Sequence, residues 1–209
     1  MALCLFFAMI HILVFNVLIM YLFFDTETTG LPKNYKAEVT DLENWPRLVQ
    51  LAWLVYNEKG EEIAEGNRIV KPEGFTIPKQ ASDVHGISTE RALAEGLALS
   101  EVMQEFAEVV KEAKLLVAHN MSFDEKIAGA EFLRQAIEHD LFNTARFCTK
   151  EASTNFCAIP GPYGYKWPTL SELHIKLFDR DFEGAHDALV DVRACADCFF
   201  ALVKKGVIS

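Results

Sequence analysis

The chain has 209 residues, and its 20 lysines and arginines against 30 aspartates and glutamates give a net charge of -10. A chain of this length suits one domain with a full hydrophobic core and is too short for two comfortable ones. Binding along a long stretch of nucleic acid backbone needs an excess of lysine and arginine, so the acidic excess argues against that class of protein. It permits an enzyme that binds a few nucleotides at a chain end.

The amino-terminal segment carries no charged residue before Asp25. It is long enough for a membrane span, and it lacks the basic start and small-residue cleavage site of a signal peptide. However, the strand that leads to Asp25 must begin near Tyr21, which leaves no linker after a span. We therefore expect residues 1–19 to be a dispensable extension, with a membrane anchor as the alternative, and residues 20–209 to form the functional domain. A chain that begins at Met20 is expected to keep full activity.

Apolar runs bounded by turn residues predict strands, and apolar residues at helical spacing predict helices. The predicted strands are 21–27, 47–56, 61–70 and 115–118. Predicted helices begin at Ser100, as a cap, and at Ser122 and Thr169, each of which opens a capping box with a glutamate three residues later; a last helix covers 188–205. Residues 150–168, which contain prolines and glycines, are predicted to be a long connection. These elements predict a mixed α/β sheet covered by helices.

The five cysteines are odd in number and scattered along the chain. This usage is typical of a reducing, cytoplasmic compartment and not of a disulfide framework. Cys195 and Cys198 lie in an apolar helical stretch, so core packing is favoured over redox or zinc chemistry.

Asp25 and Glu27 end the first predicted strand and point to the same face, about 6.6 Å apart along it. Two carboxylates at that position repel each other, and a divalent cation between them removes the repulsion. Oxygen ligands favour Mg²⁺ or Mn²⁺ over zinc. The alternative for this pair alone is two solvated acids at a strand end.

Asp124 follows the strand 115–118 by a short turn and falls in the first turn of a helix. The helix dipole favours an acid there, which is a sufficient structural explanation on its own. If the strands ending at Glu27 and Ala118 are parallel neighbours, their carboxyl ends share an edge of the sheet, where ligands bind. Asp124 would then join Asp25 and Glu27.

His186 and Asp191 are five residues apart, which on one continuous helix places them about 140° out of register. Both face one site only if His186 lies in the loop before the helix, and Gly184 supports that placement. Asp187 would then serve the start of the helix, while Asp191 reaches inward.

Three segments, 24–30, 119–124 and 186–191, together resemble the motifs of the DEDDh 3′–5′ exonucleases, the family of the proofreading epsilon subunit of bacterial replicative polymerase and of RNase T. The resemblance covers residues 21–205. It implies a ribonuclease H-like α/β fold, with a mixed five-stranded sheet and helices on both faces. It also implies two Mg²⁺ or Mn²⁺ ions bound by four acids, with His186 as general base near neutral pH. The implied metal ligands are Asp25, Glu27, Asp124 and Asp191.

The implied reaction releases nucleoside 5′-monophosphates from a single-stranded 3′ end of DNA or RNA. The residues implied beside the terminal nucleotide are Thr28, Gly30, Leu31, His85, Ile87 and Asn120. The aromatic residues of the 150–168 connection could stack on bases or pack among themselves, and the same two alternatives hold for Trp45. They are Phe156, Tyr163, Tyr165 and Trp167.

A non-catalytic nucleic acid-binding module with the same fold is the alternative function. It is disfavoured because all five motif positions carry the residues that the chemistry needs. A polymerase partner is also disfavoured, because only three residues follow Gly206 and leave no tail for a tether. We therefore expect a stand-alone trimming enzyme; the choice between DNA and RNA stays open.

Overall fold

The computed structural model describes residues 19–208, so residues 1–18 of the predicted extension lie outside the described part of the chain. A central sheet has the strand order β3-β2-β1-β4-β5. Its strands are β1 (Ile19–Thr28), β2 (Leu48–Asn57), β3 (Glu62–Ile69), β4 (Leu115–Ala118) and β5 (Ala145–Cys148). β1 pairs antiparallel with β2 and parallel with β4, and β4 pairs parallel with β5. The predicted mixed five-stranded sheet is confirmed.

Helices connect and cover these strands. They are α1 (Lys79–His85), α2 (Thr89–Glu95), α3 (Leu99–Glu112), α4 (Met121–Gln135), α5 (Thr149–Ala152), α6 (Thr154–Cys157), α7 (Leu170–Phe178) and α8 (Ala188–Lys204). Among the described residues, no helix is long and apolar enough to cross a membrane.

The sheet is buried on both faces because successive residues of β1 and β2 supply apolar side chains to opposite sides. Phe24 packs with Phe106 of α3 on one face. Phe23 packs with Phe199 of α8 on the other. Both phenylalanines of β1 are at most 1% exposed, so the strand that ends in Asp25 and Glu27 is fixed from both sides.

Two of the predicted helix starts are wrong. α3 begins at Leu99 with Ala98 before it, so Ser100 lies inside the helix and does not cap it. α4 begins at Met121 and is preceded by Asn120, with no side-chain cap hydrogen bond, so the Ser122 capping box does not form. The capping box of Thr169 does form.

The predicted long connection 150–168 is more ordered than its composition indicates. It contains most of α5, all of α6 and a small hairpin, β6 (Pro160–Gly161) with β7 (Gly164–Tyr165). Trp45, in a different loop, is 3% exposed, and its Nε1 donates to the Glu38 carbonyl oxygen, so it packs in the core. Cys195 and Cys198 are buried in α8, as the packing interpretation predicts.

Candidate active site

Acidic side chains from two separate segments meet at the carboxyl-terminal edge of the sheet. Asp25 and Glu27 lie near the end of β1, and the parallel neighbour β4 leads into α4, whose first turn carries Asp124. Thr26 ties the two segments together, because its Oγ1 donates a hydrogen bond of 2.7 Å to Asp124 Oδ1. Asp124 is only 2% exposed. The predicted convergence of these three acids is therefore present.

The third motif reaches the same edge from the start of α8. His186 lies in the preceding loop with φ of 70°, and its backbone N–H donates to Asp191 Oδ2 at 3.0 Å. Asp187 caps the helix by accepting from the backbone N–H groups of Leu189 and Val190. One ligand atom each from Glu27, His186 and Asp191 lies within 4.8 Å of the others. The loop placement of His186 thus agrees with the prediction from its spacing to Asp191.

Burial destabilises the charged forms of all four carboxylates, and repulsion by the other acids of the set adds to this at Asp25 and Glu27. Burial, followed by the negative charges of Asp124 and Asp191, raises the pKa of Asp25 well above its ordinary value. Burial and Asp191 raise the pKa of Glu27 to about 8. Burial raises the pKa of Asp124 to about 7 although the Thr26 hydrogen bonds act in the opposite direction, and burial also raises the pKa of Asp191. The protein alone therefore does not neutralise this cluster.

The cluster fits a divalent cation. Asp191 Oδ1 is buried and has no hydrogen-bond partner among the described residues, while Oδ2 is held by the His186 backbone. Carboxylate oxygens are the ligands that hard cations bind. A bound cation would give Asp191 Oδ1 a partner and would offset the repulsion between the acids. The candidate ligands are Asp25, Glu27, Asp124 and Asp191.

A cavity of about 600 Å³ adjoins the acids on the α1 side. Four of the six predicted nucleotide-binding residues line it together with Glu27: Thr28, Gly30, Leu31 and His85. Thr28 Oγ1 donates to the Gly30 carbonyl oxygen at 2.6 Å, which fixes the turn that follows β1. Val84 and Phe123 add apolar surface to the walls.

The other two predicted nucleotide-binding residues do not line this cavity. Ile87 is 2% exposed and packs with Val49, Ile77 and Ala92. Its backbone N–H nevertheless donates to His85 Nδ1 at 3.2 Å and orients that ring. Asn120 lies on the β4 side, where its Oδ1 accepts a hydrogen bond from Lys150.

Two residues near the site were not identified from the sequence. Lys150 lies in α5, and its charge lowers the pKa of Asp124. Gln50 is 2% exposed, and its Oε1 accepts from the Ala188 backbone N–H, which holds the start of α8 against β2. Gln50 could have been identified from the sequence, because it is a polar residue inside the otherwise apolar run of β2. Lys150 had no local signal, because its partner Asn120 lies in a different segment.

Three of the four aromatics in the 150–168 segment project into solvent. Tyr163 is 104% exposed, Tyr165 56% and Trp167 61%. Phe156 instead packs beside a buried cluster that includes Cys157 and Leu173. The internal packing alternative therefore applies to Phe156 alone.

Comparison with known proteins agrees with this geometry. The sequence model of the RNase T family, described as exonuclease, matches residues 22–199. The structure is similar to Escherichia coli exonuclease I in complex with a dT13 oligonucleotide, with a TM-score of 0.69 and 19% identity over 88% of this chain and 40% of that one. Exonuclease I from Methylocaldum szegediense gives a TM-score of 0.69 and 20% identity with the same coverage. These likenesses confirm the predicted ribonuclease H-like fold.

The chain spans about 40% of the length of these exonuclease I structures. A comparison of the sequence with curated proteins gave no significant match.

Proposed function

The chain belongs to the RNase T exonuclease family, and we propose that it is a metal-dependent 3′–5′ exonuclease that releases nucleoside 5′-monophosphates from single-stranded 3′ ends. The observation that carries the proposal is the meeting of three distant segments at one sheet edge. β1, the start of α4 and the start of α8 contribute four acids and one loop histidine to it. Buried acids that repel one another destabilise the folded protein, and such groups are typical of functional sites.

The metal ligands in this proposal are Asp25, Glu27, Asp124 and Asp191, which hold two Mg²⁺ or Mn²⁺ ions. When bound, the ions neutralise the carboxylates and stabilise negative charge on the attacking and leaving oxygens of the phosphodiester. Thr26 orients Asp124 through the hydroxyl hydrogen bond, and the His186 backbone orients Asp191. These hydrogen bonds fix the orientation of two of the four carboxylates before a cation binds.

His186 is the general base. Its side chain is exposed in the loop and its backbone is anchored to Asp191, so the ring can approach a water that attacks the scissile phosphate. A neutral imidazole accepts the proton of that water as the new P–O bond forms. The bond to the 3′ oxygen of the preceding nucleotide breaks, and the terminal nucleotide leaves with a 5′ phosphate.

The cavity beside Glu27 receives the terminal nucleotide. Burial lowers the pKa of His85, which favours the neutral ring. Because Nδ1 accepts from the Ile87 backbone, the neutral ring carries its proton on the buried Nε2 and forms part of the cavity wall. The exposed Leu31 offers an apolar face to the sugar or base.

The proposal is tested with matched single-stranded DNA and RNA oligonucleotides carrying a 5′ label. We expect stepwise shortening from the 3′ end in Mg²⁺ or Mn²⁺, with nucleoside 5′-monophosphate as the product, and none in EDTA. Asp25→Asn should abolish it, whereas Asp41→Asn, a surface control, should not. Tight oligonucleotide binding without metal-dependent shortening would instead identify a non-catalytic binding module.

A further inference from the structure

Lys150 is a cation placed at the border of an acidic site. It lies in α5, directly after β5, and its Nζ donates to Asn120 Oδ1 at the start of α4. Asn120 directly precedes α4, whose first turn carries Asp124, so the lysine lies beside the metal-binding edge. Nζ also lies 4.8 Å from the centroid of the Trp167 ring. One lysine thus connects the acids to an exposed aromatic residue.

Trp167 leaves most of its ring available to a ligand. It is 61% exposed, whereas Trp45 and Trp53 are buried. Tyr165 and Tyr163 of the preceding hairpin are exposed as well. Exposure of an aromatic ring of this size to water is unfavourable, and stacking of a base on the ring removes part of that exposure. Each of the four bases can stack in this way, so the contact does not depend on the nucleotide sequence.

The sheet order places the terminal-nucleotide cavity and Lys150 on opposite sides of the acids. The cavity for the terminal nucleotide is bounded by α1, which belongs to the β2 side, since Val49 of β2 packs with Ile87 just after α1. The acids lie at the ends of β1 and β4, and Lys150 lies beyond them at the end of β5. A strand whose last nucleotide occupies the cavity and whose scissile phosphate lies at the acids therefore continues toward Lys150 and Trp167.

We propose that Lys150 and Trp167 form a subsite for the nucleotide on the 5′ side of the scissile phosphate. Lys150 pairs with the phosphate that precedes this nucleotide, and Trp167 stacks on its base. The inference rests on the proposed exonuclease function and extends it from the terminal nucleotide to the strand before it. Because stacking on Trp167 requires a base that is not paired, the subsite selects single-stranded ends.

Steady-state kinetics on a single-stranded oligonucleotide test the subsite. Trp167→Ala should raise KM by about 10-fold, the range of one lost base stack, with kcat changed less than about twofold. Trp167→Phe, which keeps an aromatic face, should restore most of the affinity. An unchanged KM in Trp167→Ala overturns the stacking role.

The phosphate contact of Lys150 has its own signature. Lys150→Gln should lower kcat/KM for the oligonucleotide. The slope of log kcat/KM against log salt concentration should also become less negative by about 0.7, which is the value for one phosphate contact to a single strand. Lys176→Gln is the matched control, because Lys176 lies over the ring of Phe156 instead. The p-nitrophenyl ester of thymidine 5′-monophosphate has no preceding phosphate, so Lys150→Gln should lower kcat/KM much less for the ester than for the oligonucleotide. An equal loss on ester and oligonucleotide means that Lys150 acts on the acids and overturns the proposal.

Binding without turnover separates this proposal from the function on which it rests. In EDTA, an oligonucleotide should quench the fluorescence of the exposed Trp167, and Trp167→Phe should lose that quenching. If the wild type releases no nucleotide from either substrate, the proposed function is wrong. The fluorescence quenching then still shows whether an oligonucleotide binds at Trp167. Quenching that persists in Trp167→Phe contradicts the subsite even where the exonuclease is active.

Discussion

Two acids of α4, Asp124 and Glu131, are both buried and yet have opposite surroundings. Glu131 is 0% exposed, and its Oε1 lies 2.9 Å from Arg47 Nε and 2.9 Å from Arg134 Nη1. It also accepts the Leu48 backbone N–H at 3.0 Å. Asp124, about two turns earlier, accepts a hydrogen bond from the neutral hydroxyl of Thr26 and lies among other acids.

The difference shows that burial of an acid does not by itself indicate function. The two guanidinium groups compensate Glu131, and Arg134 Nη2 also binds the carbonyl oxygens of Leu42 and Trp45. This cluster therefore fastens the loop before β2 to α4. Asp124 belongs to a set whose charge the protein does not compensate, and such a set is stable at neutral pH only with protons or cations bound.

The largest effect is expected for removal of a carboxylate from the uncompensated set. Asp25→Asn and Asp124→Asn should each lower kcat/KM by about 10³-fold or more, because a lost metal ligand removes several kcal/mol of transition-state stabilisation. The melting temperature of the metal-free protein should stay equal or rise, since a repelling neighbour is lost. Near wild-type turnover in Mg²⁺ would show that the site is misplaced.

His186→Ala should slow the chemical step by about 10²–10⁴-fold, which is the range for loss of a general base. Single-turnover rates at saturating Mg²⁺ on a single-stranded oligonucleotide measure the effect. A variant that keeps the wild-type single-turnover rate would assign the base to another group.

Glu131→Gln should act on folding and not on chemistry. Loss of the carboxylate leaves the largely buried Arg134 without its partner, and breaking a buried ion pair costs about 3–5 kcal/mol of stability. Urea unfolding measures the cost, and the folded fraction should keep its turnover number. Loss of turnover at unchanged stability would contradict the separation of the two regions. Glu105→Gln, at an exposed pair with Arg68, is the control and should cost less than about 1 kcal/mol.

The metal-free protein should become less stable as pH rises. The pKa of Glu27 is raised to about 8 and that of Asp124 to about 7, so the folded state holds protons that the unfolded state releases. The stabilisation of the folded state by these bound protons is fully present below about pH 4 and is lost as pH rises through 7 and 8. Melting temperatures in EDTA should therefore fall between pH 5 and 8, and less so in Asp124→Asn or with Mg²⁺. If the melting temperature of Asp124→Asn falls by the same amount over this pH range, the pH dependence arises from other groups.

The acids and His186 could be predicted because three short segments together resemble the motifs of one exonuclease family, although each pattern alone has a structural explanation. Asp25 and Glu27 follow an apolar strand, and the five-residue spacing of His186 and Asp191 permits only a loop histidine. The parallel pairing of β1 and β4, which was a condition of the predicted site, is present in the sheet.

Features that depend on distant partners could not be predicted in this way. Glu131 meets Arg47 across 84 positions, and Lys150 meets Asn120 across 30. The helix start at Met121 differs from the predicted start because the helix follows Asn120 directly, so Ser122 lies inside the helix and does not cap it. α1 and α2 escaped prediction because glycines and a proline separate them into pieces of one or two turns.

Calorimetric titration with Mn²⁺ tests most directly whether the uncompensated acids are a metal site. At pH 7 the wild type should bind two ions, and in buffers of different ionisation enthalpy it should release protons, because Glu27 and Asp124 are partly protonated. Asp124→Asn should lose at least one ion and part of the proton release, while Asp41→Asn should match the wild type. The account is contradicted if the wild type shows no saturable binding at millimolar Mn²⁺, or if Asp124→Asn binds the ions unchanged.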